Sequence, residues 1–161
     1  MQNVFSDHVA ETKQHLGIMM AKERKSGDFL LASVVQDSLL YNLHQHANSQ
    51  HLMDIAHAAA QISIQSAIEH MTVNEFTIRE SVRGVMHSMV SLGGNPTMMS
   101  VAVSTGAVEA LSELENNVTN DYTQAVIAGI CSAVEDMGID SEKVRRTSGH
   151  VICRSLQQRA Q

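Results

Sequence analysis

Histidine is the residue type in this chain whose abundance and spacing could support chemistry. The chain has nine histidines among 161 residues, and imidazole is both a common transition-metal ligand and a side chain that changes charge near neutral pH. Two groups combine histidine with a carboxylate at spacings that place the three side chains on one face of a helix. These groups are His8, Glu11 and His15, and His51, Asp54 and His57.

Helical bundles build metal sites from carboxylates and imidazoles that project from facing helices. A mixed set of these ligands suits Zn, Fe, Mn or Ni, so a metal- or cofactor-binding bundle is one alternative function. The pattern has low specificity, because the chain lacks paired Glu-x-x-His, His-Glu-x-x-His and Cys-x-x-Cys motifs. Solvated or capping histidines and a pH-sensitive interface are the competing interpretations, and the primary expectation includes no cofactor.

Motifs of the common enzyme classes are missing from the sequence. There is no G-x-S-x-G, no P-loop and no G-x-G-x-x-G after a strand. The sequence does not single out a set of residues that would serve as catalytic nucleophile, general base and orienting group. We therefore expect a protein that acts without catalysis.

Any metal-binding or other functional site would be positioned by helices, because apolar residues recur with helical spacing along almost the whole chain. The clearest boundary is Gly93-Gly94 followed by Asn95-Pro96, since glycine ends helices while asparagine and proline begin them. The segment Thr72–Glu75 has the pattern of a capping box. The predicted helices cover residues 4–24, 29–46, 50–70, 75–92, 96–115, 121–137 and 141–159.

Composition places the chain among globular all-α proteins. Apolar residues make up 43% of the sequence, aromatic residues only 3%, and there is one proline, which disfavours a β-sandwich or barrel. The length suits a single helical domain over residues 1–161. There is neither an apolar run of membrane-spanning length nor an apolar signal-peptide core, so we expect a cytoplasmic protein without membrane association.

An internal repeat organises these helices. When Gly84 is aligned with Gly129, the neighbouring apolar residues and breakers also match, and Gly106 matches Gly149 after a slip of two residues. The repeat therefore predicts a leading helix followed by three helical hairpins, at 29–70, 75–115 and 121–159. These hairpins would form one bundle or a short solenoid. The hairpins lack the sequence patterns of tetratricopeptide and ankyrin repeats.

Small residues at every fourth position mark two of the predicted helices. Glycine in mid-helix costs about 1 kcal/mol relative to alanine, so its presence indicates a close approach of two backbones. A tight crossing inside the fold and a dimer seam are both open interpretations. The two sets are Ala102, Gly106 and Ala110, and Ala125, Gly129 and Ala133.

Charge is segregated along the chain, whose formal net charge is −6. Residues 26–78 and 84–142 contain no lysine or arginine, whereas no acidic residue follows Glu142. Three explanations are open: cations that complement helix dipoles, an anionic partner, and the basic end of one copy meeting the acidic middle of another. The residues concerned are Lys143, Arg145, Arg146 and Arg154 on the basic side, and Glu109, Glu113 and Glu115 on the acidic side.

These observations together predict a cytoplasmic protein-interaction or scaffold module that self-associates, most simply as a homodimer, with a further protein partner as a possibility. The acidic middle and the basic last helix would set the association. Binding of nucleic acid or another anion through the basic helix is a second alternative to the metal-binding bundle. Nucleic acid is disfavoured, because the net charge is negative and no aromatic residue lies among the basic positions to stack on bases.

Overall fold

The computed structural model describes residues 2–26, 30–114 and 118–160. Within these ranges the chain forms seven α-helices and one short 3₁₀ helix, and no strand. The all-α prediction is confirmed. The helices are α1 (Gln2–Ser26), α2 (Leu31–Leu43), the 3₁₀ helix (His44–His46), α3 (Leu52–His70), α4 (Glu75–Ser91), α5 (Pro96–Leu114), α6 (Asn120–Asp136) and α7 (Glu142–Ala160).

The predicted second helix ends earlier than its apolar spacing suggested. It is α-helical only to Leu43 and then tightens into the 3₁₀ helix, a common way for an α-helix to end. Asn48 then adopts a positive φ of 60° and its backbone N–H donates to the carbonyl oxygen of Leu92 at 2.7 Å. This bond joins the loops that follow α2 and α4. Residues 27–29 and 115–117, where two of the predicted helix boundaries fall, lie outside the described residues.

The start of α4 is capped by a different pair from the predicted one. Asn74 is the N-cap, and its side chain accepts from the backbone N–H of Thr77 at 2.9 Å while Thr77 Oγ1 accepts from the backbone N–H of Asn74 at 3.0 Å. The predicted Thr72–Glu75 box was wrong, because Asn74 and not Thr72 is the N-cap, so that Glu75 is the first residue of the helix and not the third. Asn95 caps α5 as predicted, since its Oδ1 accepts from the backbone N–H of Met98 at 3.1 Å.

The helices pack in two layers. Helices α2, α4 and α6 lie side by side in one layer, and α3, α5 and α7 lie side by side in the other. Helix α4 also packs against α3 and α5, and α6 packs against α5 and α7, so the two layers are joined along the whole stack. Helix α1 packs against both α2 and α3 and thereby covers the first end of the stack.

Aliphatic side chains and methionine form one hydrophobic core inside the helix bundle. Leu16, Leu39 and Val103 are completely buried, as are Met86 and Met89. Methionine is flexible enough to fill irregular gaps that aromatic rings would otherwise occupy. Burial of these apolar stripes is the main force that holds the stack together.

Glycine allows adjacent helices of one layer to approach closely at two equivalent places. A Cβ at Gly84 of α4 would lie 2.5 Å from the carbonyl oxygen of Ala32 in α2. A Cβ at Gly129 of α6 would overlap the carbonyl oxygen of Arg79 in α4 and lie 3.0 Å from Val82 Cβ. Each glycine therefore faces the backbone of the preceding helix in its layer.

The aligned pair Gly106 and Gly149 does not share one setting. A Cβ at Gly106 would overlap the carbonyl oxygen of His57 in α3, whereas a Cβ at Gly149 would meet nothing within 4 Å. The residue before it, Ser148, is completely buried. Because one residue turns a helical position by about 100°, α7 turns its serine rather than its glycine towards the core.

The remaining small residues of the two predicted crossings are inside the fold. Each lies one helical turn from Gly106 or Gly129 and is exposed by no more than 6% of its surface. The two small-residue stripes thus face neighbouring helices of the same chain. These residues are Ala102, Ala110, Ala125 and Ala133.

Candidate interaction surfaces

Helix α7 presents a cationic surface to solvent. Its buried side is a narrow stripe that includes Val144, Ser148 and Ile152, while most other positions are exposed. Such a pattern leaves more than half of the helix circumference in contact with water. The exposed basic residues of this helix are Lys143, Arg145, Arg146, Arg154 and Arg159. We call the four that the sequence analysis selected, Lys143, Arg145, Arg146 and Arg154, the cationic face.

Most of this positive charge has no acidic partner. Among the described residues, Arg146 is the member of the cationic face that has a carboxylate within ion-pair distance, with its Nε 3.5 Å from Glu142 Oε1. Both side chains of that pair are largely exposed, so the pair contributes little to stability. Lys143, Arg145 and Arg154 therefore present their charge to the surroundings.

Acidic side chains lie along the seam between α3 and α5. His57 Nε2 lies 2.7 Å from Glu109 Oε2, and Gln65 Nε2 donates to Glu113 Oε2 at 3.1 Å. The structure thus brings two of the predicted acidic residues together, with contacts from α3 that orient them. We call Glu109 and Glu113 the acidic seam. Glu115, the third predicted acid, lies outside the described residues.

The acidic seam has no lysine or arginine on its own helices, since the sequence contains neither between residues 26 and 78 or between 84 and 142. Both carboxylates face α3, whereas α7 packs against α5 from its other neighbouring position in the layer. Across the described part of the chain, no ion pair joins the acidic seam to the cationic face. The two surfaces are thus separate within one copy.

The histidines of the predicted metal-binding sets contact different partners. His8 Nδ1 lies 3.0 Å from His46 Nε2, and His15 Nδ1 lies 2.9 Å from Asn42 Nδ2. His57 pairs with Glu109. Within residues whose side chains the structure describes, no three His, Cys, Asp or Glu side chains are arranged to hold a metal ion.

The other members of those sets lie at the surface. Glu11, His51 and Asp54 are exposed. His51 is the N-cap residue of α3, but its side chain makes no capping bond, and its backbone N–H donates to Ser49 Oγ at 3.0 Å. The structure therefore does not assemble either predicted set into a three-ligand group.

An ionic network between α4 and α6 was not predicted from the sequence. Arg83 donates from Nε to Asp136 Oδ2 at 2.7 Å and from Nη2 to Asp136 Oδ1 at 2.8 Å, and His87 Nε2 lies 2.8 Å from Oδ2. Glu80, buried to 8% exposure, adds an ion pair to Arg83. The helical spacing of Glu80, Arg83 and His87 could have indicated one shared face, but nothing local indicates Asp136.

These contacts change the titration of the network. Burial opposes ionisation of Asp136, but the hydrogen bonds from His87 and Arg83 outweigh it and lower the pKa of this carboxyl. The hydrogen bond to Asp136 likewise raises the pKa of Arg83. A carboxylate whose pKa is lower in the folded state stabilises the fold above its unfolded pKa, and this stability is lost as pH falls through the folded value.

Asp136→Asn is therefore expected to lower the free energy of unfolding at pH 7 by about 1 kcal/mol, because the partners are partly exposed to solvent. The difference between variant and parent should begin to shrink below about pH 4, the ordinary pKa of an Asp carboxyl, and should vanish only below the lower pKa that Asp136 has in the folded protein. Urea denaturation at a series of pH values measures both effects. Asp37→Asn, at an exposed position in the middle of α2, is the control, and an equal loss in the control would contradict the assignment.

Comparisons of the chain with known protein families, curated proteins and solved structures find no match. None of the described helices combines the length and apolar character needed to cross a lipid bilayer.

Proposed function

We propose that this protein is an interaction module whose copies associate through opposite charge, with the cationic face of one copy set against the acidic seam of another. The observation that carries the proposal is the unpaired charge of α7: Lys143, Arg145 and Arg154 are exposed and have no acidic partner among the described residues. The acidic seam has no lysine or arginine on α3 or α5, and the basic side chain that contacts it within the chain is His57, at Glu109.

Surfaces of opposite sign attract over distances longer than a hydrogen bond. The attraction steers the encounter of two molecules and selects their relative orientation. Because the two surfaces belong to one chain but do not pair within it, a second copy supplies the complementary charge for both. In a two-fold dimer the contact forms twice, since residue i of each copy meets residue j of the other.

Salt dependence tests the association. The Debye length falls from about 10 Å at 0.1 M salt to about 3 Å at 1 M, so exposed charges attract each other only at the lower concentration. Sedimentation velocity of the full chain at micromolar concentration is expected to show a dimer at low salt and a monomer at high salt. A monomer under both conditions rejects the proposal, as does a dimer that salt leaves unchanged.

A charge exchange tests which residues meet. Arg154→Glu and Glu113→Lys are each expected to abolish self-association, because each places like charges opposite one another. A mixture of the two variants should restore the dimer, because both contacts of the mixed pair then join opposite charges. Lys22→Glu, a reversal at an exposed lysine of α1, is the control and should dimerise like the parent. Failure of the mixture to associate would rule out this pairing.

A further inference from the structure

We infer that α1 and the 3₁₀ helix together bind a divalent transition-metal ion, with one imidazole nitrogen from each element as a ligand. The inference does not depend on the proposed self-association. It starts from His8 of α1 and His46 of the 3₁₀ helix, whose Nδ1 and Nε2 atoms lie 3.0 Å apart. The two residues are 38 positions apart in the sequence, so the fold and not local spacing brings the two nitrogens together.

The separation of the two nitrogens is close to that of two ligands on one metal ion. Bonds from zinc to imidazole nitrogen are about 2.0–2.1 Å long, and a tetrahedral arrangement then places two such nitrogens about 3.3 Å apart. The ring centroids of His8 and His46 lie 5.3 Å apart and the ring planes meet at 75°, so the rings do not stack. Small rotations of the two side chains would therefore admit an ion between the nitrogens.

The nature of the two ligands selects the class of ion. Imidazole nitrogen suits Zn²⁺, Cu²⁺ and Ni²⁺, whereas Mg²⁺ and Ca²⁺ are bound through oxygen. Coordination requires a neutral ring, and burial together with the neighbouring His8 lowers the pKa of His46. The chemistry therefore favours a transition-metal ion at neutral pH.

The charges near the two rings also favour a cation. Asp7 and Glu11 are exposed carboxylates within one helical turn of His8, and negative charge raises the local concentration of cations. The sequence contains no lysine or arginine between residues 26 and 78, so neither α2 nor the 3₁₀ helix adds a repelling charge. On α1 itself, Lys13 forms an ion pair at 3.4 Å with a glutamate of α3.

Neighbouring residues position one ring and leave two histidines outside the site. The amide nitrogen of Gln45 lies 3.2 Å from Nδ1 and 3.0 Å from Nε2 of His8, which restrains this ring. His44 Nδ1 instead contacts the carbonyl oxygen of Tyr41 at 2.9 Å, and His15 contacts α2. The site therefore has two protein ligands, fewer than the groups of three His, Cys, Asp or Glu side chains that are absent from the described residues.

Coordination by these two ligands would fasten α1 to the end of α2. The unfolded chain does not hold the two nitrogens together, so the ion binds the folded chain preferentially and stabilises it by mass action. Structural zinc sites provide four protein ligands. With two, the remaining positions would be filled by water, and the ion would bind less tightly and exchange with the medium.

Isothermal titration of the untagged full chain with ZnCl₂ and with NiCl₂ tests the site. At about pH 7.5, where most imidazole is neutral, we expect one equivalent of either ion to bind and MgCl₂ not to bind. His8→Ala and His46→Ala should each weaken Zn²⁺ binding about tenfold or more, because loss of a ligand should cost at least as much as loss of a group that only orients one. His150→Ala, at an exposed position of α7, is the control and should bind like the parent.

The inference would be overturned if the parent bound neither ion, or if Zn²⁺ binding survived in the double variant His8→Ala and His46→Ala. Hydrogen–deuterium exchange of the parent gives a second test that does not depend on the folding of a variant. Bound Zn²⁺ should increase the protection of amides in α1 relative to those in α7, because the ion joins α1 to the 3₁₀ helix. Equal protection with and without Zn²⁺ would contradict the site.

Discussion

Gly129→Ala is expected to destabilise the protein by about 1–3 kcal/mol, whereas Gly149→Ala is expected to stabilise it by about 0.5–1 kcal/mol. The added Cβ at Gly129 would overlap a backbone carbonyl oxygen of α4, at Arg79, and would lie 3.2 Å from the backbone nitrogen of Arg83. A backbone cannot move aside as a flexible side chain can, so α6 must shift away from α4 and packing between them is lost.

At Gly149 the same substitution is expected to have the opposite effect on stability. It lies in the middle of α7, and a Cβ there would meet nothing within 4 Å. Alanine would then contribute only its higher helix propensity. Urea denaturation of both variants measures the two free-energy changes. Changes of the same sign would show that glycine does not mark the close approach of helices in this fold.

Leu111→Ala is expected to cost about 2–5 kcal/mol, the range typical of a leucine truncated in a well-packed core. Leu111 is 1% exposed and lies on α5, which packs against α3, α4, α6 and α7. Because α5 packs against four helices, we do not expect movement of one of them to close the cavity. The loss should therefore lie in the upper part of the range.

Leu114→Ala on the same helix is the matched control. Leu114 is 40% exposed, so its truncation should change the free energy of unfolding by less than about 0.5 kcal/mol. Thermal and urea denaturation of the two variants measure how the same loss of side-chain volume changes stability at a buried position and at an exposed one. Equal losses would contradict the burial of α5 at the centre of the stack.

Local sequence signals were sufficient to predict the helices and their approximate ends. Apolar spacing depends on which face of a helix a residue occupies, and capping depends on residues within one turn, as at Asn95. The charge pattern also predicted a basic last helix, because no acidic residue follows Glu142 while lysine and arginine do. Glu109 and Glu113 were identified by the same argument as a separate acidic region.

The partners of individual side chains were decided by the tertiary structure. Asp136 meets Arg83 across 53 residues of sequence, and His15 meets Asn42 across 27, distances at which spacing along one helix carries no information. The predicted metal-binding sets failed to assemble for the same reason, since shared position on a helical face does not determine the opposing helix.

The rotation of α7 about its own axis shows most clearly what the sequence determines and what only the tertiary structure decides. Alignment of glycines placed Gly149 at the position of Gly106, yet Ser148 is the buried residue and Gly149 faces open space. The apolar stripe through Val144 and Ile152 made α7 a helix with one buried side. Contact with α5 and α6 then selected the rotation that buries this stripe most completely, because the free energy of packing depends on the whole interface and not on one small residue.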